Sequence, residues 1–280
     1  MKEFKNKVAV ICGSANGFGR ALALEAAARE MKVVLADIDE PNNTELLATL
    51  KANGADAIAV TADLTLFEEV EKVHAEAMKA YGKCDLLINC VGILVPGPVW
   101  EVPPTEWEWI IGTNLKSEVF AMRLFMPDMI ARGEECHVVN IASHAGIIAS
   151  PSSTAYHATK FASVGLTEGT YMALQAKGYK HVGISVVTPA FIQTDLHNAE
   201  RHRPERYAKN DDPYYTSATY EKGWAALGHF ITTGLPIDHF ATVVFRGIMD
   251  NQFYIHTHND FYDAAKKRAN GIINDGHPIP

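Results

Sequence analysis

Short apolar runs alternate with longer segments of helical period along most of this chain. The runs fall at 7–12, 32–37, 56–61, 84–90, 135–142, 181–188 and 252–256, and helical patterns such as 66–81, 115–131, 154–177 and 236–250 lie between them. Runs of this length read as strands, and those that are apolar almost throughout, such as Asp85-Leu86-Leu87-Ile88-Asn89, suit a sheet covered by helices on both faces. Strand alternating with helix is what parallel pairing requires, because each crossover needs a dozen or more residues. The pattern therefore predicts an α/β fold built on a parallel sheet, with no internal repeat or low-complexity segment.

Composition narrows the class. The 280 residues, 48% of them hydrophobic, are ordinary for one α/β domain, and no apolar run approaches the roughly 18 residues of a membrane span. The opening MKEFKNKVAVICG has no secretory h-region and runs straight into the first strand, so it reads as mature sequence of a soluble, cytoplasmic protein. Cys12, Cys84, Cys90 and Cys136 fall in or beside predicted strands without metal-like spacing, which predicts buried, reduced thiols rather than disulfides. A formal charge of −8 argues against a nucleic-acid partner, and the short Lys266-Lys267-Arg268 cluster does not reverse that. Of the twelve histidines, His197, His202, His256 and His258 match no familiar ligand spacing, so no metal is expected.

Two constellations carry the chemistry. Gly13-Ser14-Ala15-Asn16-Gly17-Phe18-Gly19 follows the first apolar run and precedes an alanine-rich helix, a strand–glycine turn–helix order that brings backbone N–H groups against a phosphate. Its G-x-x-x-G-x-G spacing differs from the dinucleotide fingerprint G-x-G-x-x-G. The second apolar run ends in Asp37, eighteen residues beyond Gly19, where a carboxylate accepts from the adenosine ribose hydroxyls and repels a 2′-phosphate. Asp39 competes for that role, and an ordinary turn residue is the plainer reading of Asp37. No Arg or Lys stands at Asn16 or directly after Asp37, so NAD is favoured over NADP. The second constellation is Tyr156-x-x-x-Lys160, thirteen residues after Ser143. One helical turn brings an ammonium toward the phenol, and a nearby positive charge favours phenolate, lowering a pKa of about 10 toward one useful for proton transfer from an alcohol.

Together with Asn89-Cys90-Val91-Gly92, Asn114 and Pro189-Ala190, these motifs resemble the series of the short-chain dehydrogenase/reductase family, over roughly residues 5 to 195 and more weakly near 236 to 256. The resemblance implies a Rossmann-type doubly wound sheet of seven parallel strands with helices on both faces. It places Gly13, Ser14, Asn16, Gly17, Phe18 and Gly19 around the pyrophosphate and nicotinamide. Asp37 and Ile38 then meet the adenosine ribose, Asp63 and Leu64 the adenine, and Asn89, Val91 and Gly92 line the cofactor. Lys160 meets the nicotinamide ribose, and Pro189, Ile192 and Thr194 the carboxamide end. In the family's terms Tyr156 is the acid/base, Lys160 lowers its pKa, Ser143 orients the reacting oxygen and Asn114 positions a water. Cys12, Phe18, Cys90, Val91 and Ala190 depart from the commonest family residues without removing a catalytic group, and Phe18 is bulky against the nicotinamide.

The segment 190–235 is long and individual, with Phe191, Tyr207, Tyr214, Tyr215, Tyr220, Trp224 and Phe230 interleaved with Arg201, Arg203 and Arg206. Read as a lid, it suits a bulky, largely apolar substrate; equally, the aromatics serve to pack the lid onto the body. Leu94, Val95 and Trp100 are expected to form the opposite wall, with Phe191, Tyr207, His144 and Ser143 also facing substrate, whereas His157 is read as structural. The tail 257–280 reads as a helix capped by Asn259-Asp260, and the resemblance implies a homo-oligomer, tetramer or dimer. The expected activity is NAD(H)-dependent interconversion of a secondary alcohol and a ketone, on a hydroxysteroid or another bulky cyclic or aryl alcohol. The alternatives are an NADPH-dependent carbonyl reductase and a nucleotide-sensing protein without turnover.

Overall fold

The computed structural model describes residues 1–258, 261–274, 276 and 278. Among them seven strands, β1 (Val8–Cys12), β2 (Lys32–Asp37), β3 (Ala57–Thr61), β4 (Leu86–Asn89), β5 (Cys136–Ile141), β6 (Val182–Thr188) and β7 (Tyr254–His256), form one sheet in the order β3-β2-β1-β4-β5-β6-β7. All six pairings are parallel. The helices are α1 (Gly17–Ala28), α2 (Glu40–Ala52), α3 (Phe67–Tyr81), α4 (Pro104–Ile111), α5 (Ser117–Arg132), α6 (Thr154–Ala176), α7 (Ala218–Thr232), α8 (Phe240–Met249) and α9 (Tyr262–Ile273).

The period-2 geometry of the strands splits the core into two layers. Ala9 and Ile11 of β1 point into a cluster with Leu22 and Ala26 of α1 and Val244, Phe245 and Ile248 of α8. Val8, Val10 and Cys12 point the other way, into a cluster with Val70 and Val73 of α3 and Phe125 and Met129 of α5. Burial on both faces is why these strands read as continuous apolar runs.

The strand order reverses between β1 and β4, both of which pair directly. In an open parallel sheet the crevice beyond the carboxyl ends of strands at such a switch point is where ligands bind. The loops after β1, β2, β4, β5 and β6 all emerge at that edge.

Two local features were not legible in the periodicity. Between α4 and α5, Gly112–Lys116 forms a π-helical turn, which places Asn114 where continuous α-helix would not. The segment after β6 leaves the body at Phe191 and returns at Leu235, where Leu235 N donates to Phe191 O (3.0 Å) and Gln193 N to Leu235 O (2.9 Å). The 190–235 lid is thus closed at its own base. The capping role expected of Asn259-Asp260 lies outside the described residues; α9 beyond them sets Arg268 over the Phe161 ring of the same chain, 4.7 Å from its centroid. Cys12, Cys84 and Cys136 are buried free thiols and Cys90 is half-buried. No described helix is long and apolar enough to cross a membrane, and no group of three or more His, Cys, Asp and Glu among the described residues is arranged to hold a metal.

Candidate active site

A cavity of about 270 Å³ runs along the carboxyl edge of the sheet, from Asp37, Ile38, Asp63 and Leu64 at one end, past Gly13, Asn16, Gly17 and Phe18, to Ser143, Tyr156 and Lys160. Val91, Gly92, Pro189, Ile192 and Thr194 also line it.

The glycine turn is shaped by contacts that exclude a side chain. Gly13 has φ +88°, and a Cβ there would lie 2.8 Å from Val91 N; at Gly19 a Cβ would overlap the Gly13 carbonyl oxygen. Asn16 precedes α1 but does not cap it, because its side chain instead donates to Asp39 Oδ2 (2.9 Å) and accepts from Asn42 Nδ2 (3.0 Å). The first amides of α1 therefore remain available to an anion. Asp37 accepts from Ala15 N (2.8 Å) and Asp39 N (2.9 Å), tying the turn after β1 to the start of α2. Burial raises its pKa, while these two N–H donors pull it down. Asp39, the competitor for the ribose, caps α2 through Asn42 N and is buried.

At the other end, Tyr156 and Lys160 stand one turn apart on α6. Lys160 Nζ donates to Ile141 O (2.8 Å) and lies 5.7 Å from the Tyr156 ring centroid. Burial pushes the Tyr156 phenol up to about 12, and the Ser143 hydroxyl, which stabilises the phenolate, works against that shift. In this arrangement the Lys160 ammonium donates to a strand carbonyl, and desolvation of the phenolate is the largest influence on Tyr156. Ser143 begins a short turn after β5, accepting from Ala145 N (3.1 Å) and donating to Pro189 O (3.3 Å). His157, next to Tyr156, also borders the cavity and staples the 145–150 loop, with Nδ1 2.9 Å from Ala145 O and Nε2 accepting from Ser150 N (3.0 Å).

Several expected contacts fall elsewhere. Ser14 is fully buried behind the turn, donating to Asn43 Oδ1 (2.8 Å), and Gly19 is likewise behind the cavity wall. Asn89 is turned into the sheet, donating to Asn140 Oδ1 (2.8 Å), a partner 51 residues away. Asn114 does not face the cavity; its amide accepts from Ile93 N (2.8 Å) and donates to Ile93 O (2.9 Å) and Thr159 Oγ1 (3.1 Å), bracing the loop after β4 against α6. That leaves little of the amide for a water. Phe18 lines the cavity but stacks on Phe240 at 4.0 Å, which draws its ring toward the core.

On the substrate side Leu94, His144 and Phe191 line the cavity, but Val95 is fully buried in the core, Tyr207 turns its hydroxyl toward Gly112, and Trp100 is 81% exposed. Trp109 of α4 supplies the wall instead. Most of the lid aromatics pack on each other: Tyr214, Tyr215, Tyr220 and Trp224 form a chain of edge contacts between 5.2 and 6.2 Å. What the lid presents to the cavity is chiefly aliphatic, from Ile192, Leu196, Ala199, Leu227 and Ile231.

Ion pairs fix the lid. Arg203 lies 2.8 Å from Glu106 Oε1 and 2.6 Å from Glu200 Oε1, with its guanidinium 3.8 Å over the Trp109 ring. Arg206 reaches Asp63 Oδ2 (2.6 Å) and Thr65, so the carboxylate expected at the adenine is held by the lid. Arg201 pairs with Asp195 and lies 3.9 Å from Asp39, and His202 lies 3.3 Å from Asp39. The local sequence around Asp37 held no cation; the lid brings one from 164 positions away.

The comparisons agree with this architecture. The profile of the short chain dehydrogenase family matches residues 7–205. A CLA biosynthesis dehydrogenase/reductase of Lactiplantibacillus plantarum is 43% identical over 99% of this chain and 97% of its own length. A C alpha-dehydrogenase of a Sphingobium species is 30% identical over 100% of this chain and 89% of its own. The crystal structure of a short chain dehydrogenase/reductase from Burkholderia phymatum, in complex with NAD, superposes with a TM-score of 0.96 at 36% identity, covering 100% of this chain and 99% of that one. The chain belongs to the short-chain dehydrogenase/reductase family of oxidoreductases.

Proposed function

We propose that the protein is an NAD(H)-dependent oxidoreductase that interconverts a secondary alcohol and a ketone. The observation that carries this reading is the continuity of one cavity from the Asp37 carboxylate, past the glycine turn, to Ser143, Tyr156 and Lys160. The residues fit the cofactor: the close approaches at Gly13 and Gly19 and the uncapped start of α1 suit a pyrophosphate, and each Asp37 oxygen keeps a lone pair for a ribose hydroxyl. Val91, Gly92, Pro189, Ile192 and Thr194 would hold the nicotinamide half, which when bound gives or accepts the hydride. The NAD complex of the Burkholderia protein supports the choice of dinucleotide. Gly19→Ala is expected to open the turn and weaken NADH binding by roughly tenfold to a hundredfold, the scale of about 1–3 kcal/mol of overpacking; fluorescence titration with NADH checks this.

In the oxidation direction Ser143 orients the substrate oxygen and Tyr156 takes its proton. Lys160, held by Ile141 O, keeps a positive charge beside the phenol. The apolar, mainly aliphatic wall supports a bulky hydrophobic substrate. With most lid aromatics spent on internal packing, we favour saturated rings or chains, as in a hydroxysteroid, over an aryl carbinol. Val119, Tyr171 and Met172, exposed on α5 and α6, support association into a homo-oligomer.

The second reading, an NADPH-dependent carbonyl reductase, draws on Arg201, which the lid carries to the ribose end. Purified protein should reduce NAD in preference to NADP with bulky apolar secondary alcohols, followed by NADH absorbance. Preference for NADP would overturn the role given to Asp37. NAD binding with no turnover across the panel would favour a nucleotide-sensing protein.

A further inference from the structure

Behind the Tyr156–Lys160 pair lies a carboxyl group that the chemistry above does not use. Glu118 sits in the first turn of α5, four residues after Asn114, and is 4% exposed. One oxygen, Oε2, accepts from Ser163 Oγ (2.8 Å); the other, Oε1, is buried without a hydrogen-bond partner. Ser163 is three residues after Lys160, so the side chain that holds Glu118 and the lysine lie on the same side of α6. A buried carboxyl left half-satisfied is costly compared with an apolar residue of similar size. Its neighbour explains what such a group does there.

We propose that Glu118 is a positioning residue that acts through Lys160: its charge, held by Ser163, keeps the buried Lys160 amine protonated and so sustains the cation on which Tyr156 depends. This rests on the acid–base reading of Tyr156 and Lys160 given above. Lys160 is the charged group that acts on Glu118; Glu118, the Cys90 thiol and the Tyr156 phenol, whose ring centroid is 5.7 Å away, are the titratable groups around Lys160. Burial lowers the Lys160 pKa and Glu118 opposes that shift; burial in turn raises Glu118 to about 7, and the Ser163 hydroxyl and Lys160 pull it down. Removing the negative charge lets burial prevail at Lys160.

The test is the pH profile of kcat/KM for alcohol oxidation in the wild type, Glu118→Gln, Glu118→Asp and Ser163→Ala. In Glu118→Gln the alkaline limb, where loss of the Lys160 proton ends the rise in rate, should move to lower pH by roughly one unit, the size expected of one charge inside a protein. Glu118→Asp should restore part of the shift. Ser163→Ala, which removes the donor that stabilises the carboxylate, should move the limb in the same direction as Glu118→Gln. A uniform fall in rate with the limb in place would make Glu118 a packing residue and overturn the proposal. Carbamylation of Lys160 by cyanate, read by mass spectrometry against pH, gives a second measure, because only the neutral amine reacts. Its midpoint should fall in Glu118→Gln by the same amount, and an unchanged midpoint overturns the proposal. If the wild type turns over no alcohol, the proposed function fails, and the lysine titration still decides the part played by Glu118.

Discussion

Tyr156→Phe is expected to bind NADH as the wild type does and to lose a factor of roughly a hundred to ten thousand in kcat, the usual contribution of a positioned acid–base group. That factor corresponds to about 3–5 kcal/mol of transition-state stabilisation. The substitution removes one hydroxyl from a ring packed against the Ile93, Val95 and Trp109 cluster, so the fold and the glycine turn are left intact. The pH dependence should change with it. Burial holds the phenol up to about 12, so the phenolate fraction of the apo site grows as pH rises through the alkaline range. Oxidation, which needs the base form, should accelerate with rising pH in the wild type, and the acceleration should vanish in Tyr156→Phe. Initial rates across a pH series, with NADH fluorescence titrations in parallel, check both statements; near-normal turnover in the variant would remove Tyr156 from the mechanism.

Arg203→Ala is expected to cost about 3–5 kcal/mol, the range for stripping one partner from a buried ion pair. Glu106 is 1% exposed, and without the guanidinium its carboxylate loses the cation paired with it. The same substitution removes the cation stacked on Trp109, a wall of the cavity. Because the lid is pinned at its base between Phe191 and Leu235, the lost stability should emerge as local opening of 196–216 rather than as global unfolding alone. Limited proteolysis should cut the variant in that segment at protease levels the wild type survives, and KM for substrate should rise. Arg203→Lys should rescue only part, since a lysine keeps the charge but neither the forked geometry nor the flat stacking face. An unchanged cleavage pattern in Arg203→Ala would mean that the aromatic chain from Tyr214 to Trp224 holds the lid by itself.

The sheet was legible because its strands are buried on both faces and bounded by polar loops. The runs at 7–12 and 32–37 match β1 and β2 to within a residue, while α4 was missed, since Pro103-Pro104 reads as a break although a proline is favoured in a helix's first turn. Residues at the ends of strands and in the glycine turn, Gly13, Asp37, Ser143 and Tyr156 among them, line one cavity, and their grouping was legible because their spacing is local. Side-chain direction along an irregular loop is not encoded by spacing. Val95 and Leu94 are adjacent and equally apolar, and only one reaches the cavity. Asn89, Asn114 and Ser14 were misplaced because each is captured by a distant partner, Asn140, Thr159 or Asn43. Glu118 and Trp109 gave no signal at all, since a lone Glu at a helix start reads as a solvated residue favoured there by the macrodipole, and a Trp directly after Trp107-Glu108 as a surface residue.

Arg206 on Asp63, with Arg201 and His202 beside Asp39, means that the segment walling the substrate end also spans the adenosine edge of the crevice. A loop anchored at both places cannot uncover one guest without disturbing the grip on the other. Entry and exit at the two ends are therefore mechanically joined, and the ionic strength of the medium, by loosening half-exposed contacts at one end, is felt at the other.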